Sequence, residues 1–134
     1  ANWVIIDTPV KAERMSANVI RIANIALIPV QPSAADVWAS AAAVKLVQSK
    51  IDVGGQIHAA FIATRVSGQT KLSKEILAGN WNEYGLPLMA TAIANRVSYA
   101  QSLSDGLSVF DTTDQAAKVE IDALITELET KGWL

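Results

Sequence analysis

The chain has 134 residues, of which 51% are apolar and 18% charged, with a formal net charge of −2 and no cysteine. That length fits one domain with a core of its own, and the missing thiols exclude disulfides, zinc–thiolate sites, cysteine nucleophiles and Cys-ligated iron–sulfur clusters. The small negative charge supplies no global attraction to nucleic acid or anionic lipid, and no apolar run approaches the roughly 18–20 residues of a membrane-spanning helix.

The first run, Trp3-Val4-Ile5-Ile6-Asp7-Thr8-Pro9, is rich in β-branched residues, reaches a carboxylate and breaks at proline. It reads as a buried parallel strand presenting Asp7 at its C-terminal tip, where open α/β sheets bind their ligands. From Lys11 to Asn24, Met15, Val19 and Ile22, continued by Ala26, recur at helical spacing among Lys11, Glu13, Arg14 and Arg21, predicting a helix over one sheet face. Ile25-Ala26-Leu27-Ile28-Pro29-Val30 is the second apolar run and the second predicted strand. Ser33-Ala34-Ala35-Asp36 has the form of a capping box. It opens an Ala-rich helix expected to run to about Lys50, with Val37, Ala41, Val44 and Val47 or Gln48 inward. Gly54-Gly55 marks a turn.

Ile57 to Thr64 reads as the next strand, ending at Arg65 before a polar loop that reaches Lys71. A helix is predicted from Leu72 to about Trp81, then a short strand at Leu86-Pro87-Leu88-Met89 after the Gly85 turn, with Ala92-Ile93-Ala94 also strand-like. Tyr99 to Leu103 has room for a short helical segment closed by Gly106. The last helix, from about Asp114 to Lys131, carries Ala117, Ile121, Leu124, Ile125 and Leu128 on one face. Alternating strands and helices predict a three-layer α/β domain spanning residues 1–134, with no internal repeat, low-complexity tract or linker.

An apolar strand that ends in Asp suits a Mg²⁺–nucleotide site, because a hard cation takes oxygen ligands and often holds its carboxylate through water. Asp7 standing alone would equally serve as an ordinary strand-end carboxylate. His58, the only histidine, has no Cys, Asp or second His at ligand spacing and reads as a strand or surface residue. Trp3, Trp38, Trp81 and Trp133 form no stacking platform by spacing, so core or partly buried packing is expected of them. Ser16, Ser40 and the other serines lack a nucleophile-elbow context, and Lys71 and Lys74, flanked by Glu75, read as a solvated helix surface.

Five segments in order carry a family resemblance. They are Val4-Ile5-Ile6-Asp7-Thr8-Pro9, Leu27-Ile28-Pro29-Val30-Gln31-Pro32-Ser33, Phe61-Ile62-Ala63-Thr64-Arg65, Ile93-Ala94-Asn95-Arg96-Val97-Ser98-Tyr99 and Gly106-Leu107-Ser108-Val109-Phe110. Together they resemble the ParA/MinD group of deviant Walker ATPases, and most of all the short ParA-type plasmid partition proteins, over essentially the whole chain. The resemblance implies a three-layer P-loop NTPase-like (Rossmann-like) fold with a mostly parallel sheet, incomplete at its N-terminus. It implies ATP and Mg²⁺ as cofactors, with Asp7 as the Walker B carboxylate that helps to hold Mg²⁺ through water and that serves catalysis. Thr8 and Pro9 would begin the switch that senses the γ-phosphate, and Thr64 and Arg65 would lie near the purine base. Arg96, joined by Lys118, would contact DNA. Val10 stands where relatives usually have Pro or Gly, and Thr64 where many have Asn.

The family's glycine-rich phosphate loop would lie upstream of Ala1, so this chain alone is expected not to hydrolyse ATP. In the family, the phosphate-loop strand lies between the strand ending at Asp7 and the one ending near Val30. The two remaining strands would therefore either pair directly or leave an open slot of unpaired backbone. The chain has no initiating methionine, its first Met being Met15 within a predicted helix, as expected of a processed chain or a piece of a longer protein. No signal-peptide pattern is present, and a cytoplasmic location, nucleoid-associated at full length, is expected. Expected partners are a ParB-like centromere-binding protein, non-specific DNA and a second copy in an ATP-dependent homodimer, with no membrane. Two other readings stay open: a MinD-like positioning ATPase, and a degenerate non-catalytic interaction module. The nitrogenase-reductase-like branch is excluded because its cluster would have no cysteine ligands.

Overall fold

The computed structural model describes residues 2–9, 13–68 and 70–134. Its centre is a parallel pair of strands, β1 (Ile25–Val30) and β2 (His58–Ala63), in register from Ile25 opposite His58 to Val30 opposite Ala63. Parallel strands cannot be joined by a tight hairpin and need a crossover connection. Here that connection is α2 (Ala34–Ala39) and α3 (Ala41–Asp52).

Residues 87–95 run alongside β2 as a third, interrupted line. The Phe61 N–H donates to the Pro87 carbonyl at 2.8 Å, the Met89 N–H to the Phe61 carbonyl at 2.8 Å and the Ile93 N–H to the Ala63 carbonyl at 2.8 Å. Only isolated bridges form there, at Leu88 and Ala94, where full strands are predicted at Leu86–Met89 and Ala92–Ala94. Two features interrupt the ladder: Pro87 has no N–H to give, and the N–H groups of Ala90 and Thr91 donate to the distant Glu127 carboxylate rather than to a strand.

Both faces of the pair are covered, as parallel strands require. Ile28, Val30, Ala59 and Phe61 pack on one side with Val37, Val44, Val47, Trp81 and Leu86. Ala60, Ile62 and Met89 pack on the other with Leu128, Leu124 and Trp133 of α6 (Gln115–Thr130) and the residues after it. The result is a mixed α/β arrangement in layers, with α1 (Glu13–Ile22) against α3 and α6 on the far side. The Lys50 ammonium on α3 donates to the carbonyls of Ile20 and Ala23 at 3.0 and 2.7 Å, closing the C-terminal end of α1 with a cation where the helix dipole is negative.

The predicted first strand is not formed. Residues 2–9 carry no regular structure, and Val4 and Ile5 are 85% and 95% exposed, so Asp7 does not stand at a sheet tip. Strands are held by a neighbour's ladder, and a lone apolar run has none. The bonds from His58 to Asn24 and from Thr64 to Val30 show that even-numbered β1 residues face β2. The outward edge therefore falls at Ile25, Leu27 and Pro29, and Pro29 offers no N–H. Among the described residues no strand pairs with this edge, and with the first run unpaired neither the direct pairing nor a slot between two strands is formed. Lys11, the expected start of the first helix, and Val10 lie outside the described residues.

The single Ala-rich helix is two helices. Ser40 both ends α2 and precedes α3; its N–H is shared between the carbonyls of Asp36 and Val37, and its hydroxyl also donates to Val37, a competition with the helix ladder that serine makes easy. Ser33 caps α2 as expected, accepting from the Asp36 N–H at 3.2 Å. The Asp36 carboxylate accepts from the Gln31 N–H instead of the cap's own. Val37, Val44 and Val47 are inward as predicted, whereas Ala41 is exposed. Helix α4 (Lys71–Leu77) stops before Trp81, which begins a 3₁₀ turn, Trp81–Tyr84, and donates its indole N–H to the Ile76 carbonyl at 3.2 Å. Gly85 closes this turn at φ +97°, and a Cβ there would meet Val44 Cγ1 at 2.9 Å, so both conformation and space select glycine.

Helix α5 (Val97–Ser104) and a 3₁₀ turn, Val109–Asp111, complete the chain, with Gly106 between them at φ +69°. Trp81 is buried and Trp133 half-buried, as expected, but Trp3 and Trp38 are 57% and 68% exposed. His58 lies at the exposed start of β2, stacked on the Trp133 indole at 5.1 Å and 15°.

Phe61 joins the sheet to Trp81, ring centroids 5.2 Å apart, and is fully buried. Phe61→Ala is expected to destabilise the chain by about 3–5 kcal/mol. Urea unfolding followed by tryptophan fluorescence measures this, and a loss under about 1 kcal/mol would mean that the site collapses around the deletion.

Candidate functional site

The ends of β1 and β2 place two loops side by side. Thr64 stays at the tip of β1: its N–H donates to the Val30 carbonyl at 2.8 Å, and its hydroxyl lies 3.5 Å from the same oxygen. Arg65 follows in the left-handed region at φ +50°, the only non-glycine with positive φ among the described residues. That conformation costs an L-residue about 1–2 kcal/mol, and strain of this kind collects where a side chain must be aimed. Here it ends the strand abruptly and puts Arg65 in solvent. The loop after β1 is pinned by the Ser33 and Asp36 bonds already described, and with the tip of β2 it forms a ledge.

Asp7 and Pro9 are exposed and Thr8 half-buried. Among the described residues no hydrogen bond or ion pair joins them to Thr64 or Arg65, so the two halves of the expected nucleotide site are not linked by polar contacts. Nor are three or more His, Asp or Glu side chains gathered for a metal among the described residues. The donors fit Mg²⁺ to this extent: one accessible carboxylate with a neighbouring hydroxyl suits a cation that keeps several waters and takes the rest of its oxygens from phosphate.

Arg96 and Lys118 belong to a second locus, where α5 meets α6. Arg96 precedes α5, and its Nε and Nη2 donate to Glu120 Oε1 at 3.1 and 2.9 Å. The same oxygen accepts from the Ala94 N–H at 3.3 Å, while the Tyr99 hydroxyl donates to Glu120 Oε2 at 2.8 Å. Beside it, Ser98 donates to Asp114 at 2.7 Å, and Asp114 caps α6 by accepting from the Ala117 N–H at 3.1 Å. Lys118 is half-buried on α6, two residues before Glu120. Arg96 is thus committed to a carboxylate, and the structure links it to the Lys118 helix through Glu120.

The electrostatics follow from these bonds. Burial pushes the Glu120 carboxyl up, but Arg96, Tyr99 and the Ala94 amide outweigh it and hold the group below its ordinary value. Burial, reinforced by the Glu120 charge, pushes the Tyr99 hydroxyl well above the usual phenol range, so it remains a donor. The Glu120 bond raises Arg96 further. The Ser98 hydroxyl, with the Ala117 amide, keeps Asp114 low. Farther along α6, burial also pushes Glu127 up, and the Ala90 and Thr91 amides, donating at 2.8 and 2.7 Å, overcome it.

Glu120, Tyr99 and Glu127 were not among the expected site residues. A signal for two of them exists: Glu120 and Glu127 are seven residues apart, two helical turns, between the inward positions Ala117, Ile121, Leu124 and Leu128. Carboxylates bordering an apolar stripe need partners on the surface that the stripe meets.

No family model matches the chain. It is 22% identical over 130 residues to the maintenance of carboxysome distribution protein A of Halothiobacillus neapolitanus, an alignment covering 95% of this chain and 60% of that protein. The chain therefore spans about 60% of the length of this curated relative. The likeness is distant and supports a ParA-like relationship only loosely.

Glu120 and Glu127 have folded values held below the unfolded ones, so their contribution to stability is complete above the unfolded carboxylate value and is lost as pH falls through the folded one. Denaturation midpoints should therefore drop between about pH 5 and pH 3. Glu127→Gln should lower the midpoint at neutral pH and flatten that drop. An unchanged pH profile in the variant would show that the Ala90 and Thr91 contacts add nothing to folding.

Proposed function

We propose that the chain is the C-terminal portion of a ParA-like positioning ATPase, a P-loop NTPase-like protein of the deviant Walker type. The observation that carries this reading is the relative whose alignment takes in 95% of the chain and whose name concerns the distribution of carboxysomes. The five motif segments support it by falling, with the exception of the first, at strand ends or at the starts of the elements that follow them. A name that concerns distribution of a compartment favours cargo positioning over plasmid partition in the strict sense.

In this reading Thr64 and Arg65 form the ledge against which a purine base rests. Thr64 is positioned by the Val30 carbonyl, and Arg65 is turned outward by its backbone. Asp7 would hold Mg²⁺ through water, with Thr8 and Pro9 beside it toward the γ-phosphate, and the metal would supply charge neutralisation to the transferred phosphoryl group. The phosphate-loop amides and lysines come from the rest of the protein, and ATP closes two copies into a dimer. Arg96 and Lys118 then meet DNA phosphates, which need only positive charge within reach, and a ParB-like partner stimulates turnover. The described residues include no helix long and apolar enough to cross a membrane.

The test is made in the full-length protein, by titrating ATP–Mg²⁺ and measuring partner-stimulated hydrolysis. Binding and turnover are expected. Asp7→Ala should lower turnover by about 10–100-fold, the usual effect of losing a group that holds a metal through its water. Turnover unchanged in that variant removes Asp7 from the mechanism, and absence of nucleotide binding favours a non-catalytic interaction module.

A further inference from the structure

The surface around Arg96 carries more negative than positive charge. Glu120 bonds the guanidinium at 2.9 Å, Asp114 acts on it through space, and Asp111 acts with Lys118. While these contacts hold, a polyanion approaching this face meets carboxylates as well as cations, and the Nε and Nη2 edge of the guanidinium is already engaged by Glu120. Arg96 is nevertheless only partly enclosed, its side chain 30% exposed against 16% for Glu120.

Breaking a partly buried ion pair is usually costly because it strands a charge. Glu120 avoids that outcome. If Arg96 leaves, the carboxylate keeps the Tyr99 hydroxyl on Oε2 and the Ala94 N–H on Oε1. The Tyr99 proton is secure, since burial and the neighbouring charge oppose its loss. Arg96 would lose a carboxylate and gain a phosphate, for which its planar donor fork is equally suited. The pair therefore has two satisfied arrangements, closed on Glu120 or open to an external phosphate.

We infer that Glu120 is an intramolecular competitor for Arg96, holding the guanidinium away from the DNA backbone until phosphate displaces the carboxylate, so that non-specific DNA binding at this face is self-limited. The inference rests on the reading of Arg96 as a DNA contact and adds its regulation. Tyr99 sets the strength of the competition by sharing the same carboxylate: without its hydroxyl, Glu120 relies more on Arg96.

The experiment measures binding of a mixed-sequence duplex by the full-length protein with ATP–Mg²⁺, as a function of salt. Glu120→Gln should bind several-fold more tightly, since no carboxylate has to be displaced, at the parent's salt slope, because Arg96 meets phosphate in the bound state of both. Arg96→Ala should bind more weakly, and the double variant should match Arg96→Ala. Tyr99→Phe should shift binding in the opposite direction from Glu120→Gln, and it decides the matter if Glu120→Gln does not fold. Glu120→Gln or Tyr99→Phe binding like the parent, with Arg96→Ala still weakened, overturns the competition while leaving Arg96 as a DNA contact. Loss of DNA binding in every form, parent included, removes the DNA reading and the competition with it. Gain by Glu120→Gln on phosphatidylglycerol vesicles but not on duplex overturns DNA as the partner.

Discussion

The parallel pairing of β1 with β2 is the constraint on which the rest depends. A parallel pair offers slanted bonds and no hairpin to hold it, so it persists only where both faces are buried. The sequence of β2 meets this condition with His-Ala-Ala-Phe-Ile-Ala, buried at every position after the first. Small alanines let the helical layers approach closely, and Phe61 fills the space that remains on one side, against Trp81. The covering helices are thereby set in place: α2 and α3 must return the chain on one face, and α6 must close the other.

The third line of the sheet shows how side chains can take over a backbone's work. Residues 87–95 follow β2 but break their ladder at Ala90 and Thr91, whose N–H groups turn to Glu127. Ala94 turns to Glu120 in the same way. Two carboxylates on one helix thus replace strand pairing along an edge and tie α6 to the segment that ends in Arg96. An edge finished in this manner offers fewer unpaired groups to another chain. It also couples the position of Arg96 to the packing of the far helix layer.

The two expected functional loci differ in how they are built. At the strand tips the backbone dominates, through Thr64 on Val30 and the left-handed turn at Arg65. Between α5 and α6 side chains dominate, and the cation there is engaged rather than free. The segment carrying Asp7, which the resemblance joins to the first locus, stands apart from the sheet because a β-branched run has no stability without a partner strand. The open outer edge of β1, with Pro29 on it, is the counterpart of that exposed run.

The sequence by itself determined the helices α1, α5 and α6, both paired strands, the Ser33 cap and the inward valines of α3. These depend on periodicity and on contacts within a few residues, which a linear reading contains. It also carried the ordered motifs that suggest nucleotide chemistry. Tertiary structure alone decided the rest. Whether Trp3 to Asp7 forms a strand depends on a neighbour distant in the chain; whether residues 87–95 form a ladder depends on Glu127, 36 and 37 residues away from Thr91 and Ala90. The state of Arg96 depends on Glu120, 24 residues on. Hydrogen bonds and ion pairs of that range are chosen by the packing of whole layers, and nothing in the local pattern specifies which carboxylate will meet which donor.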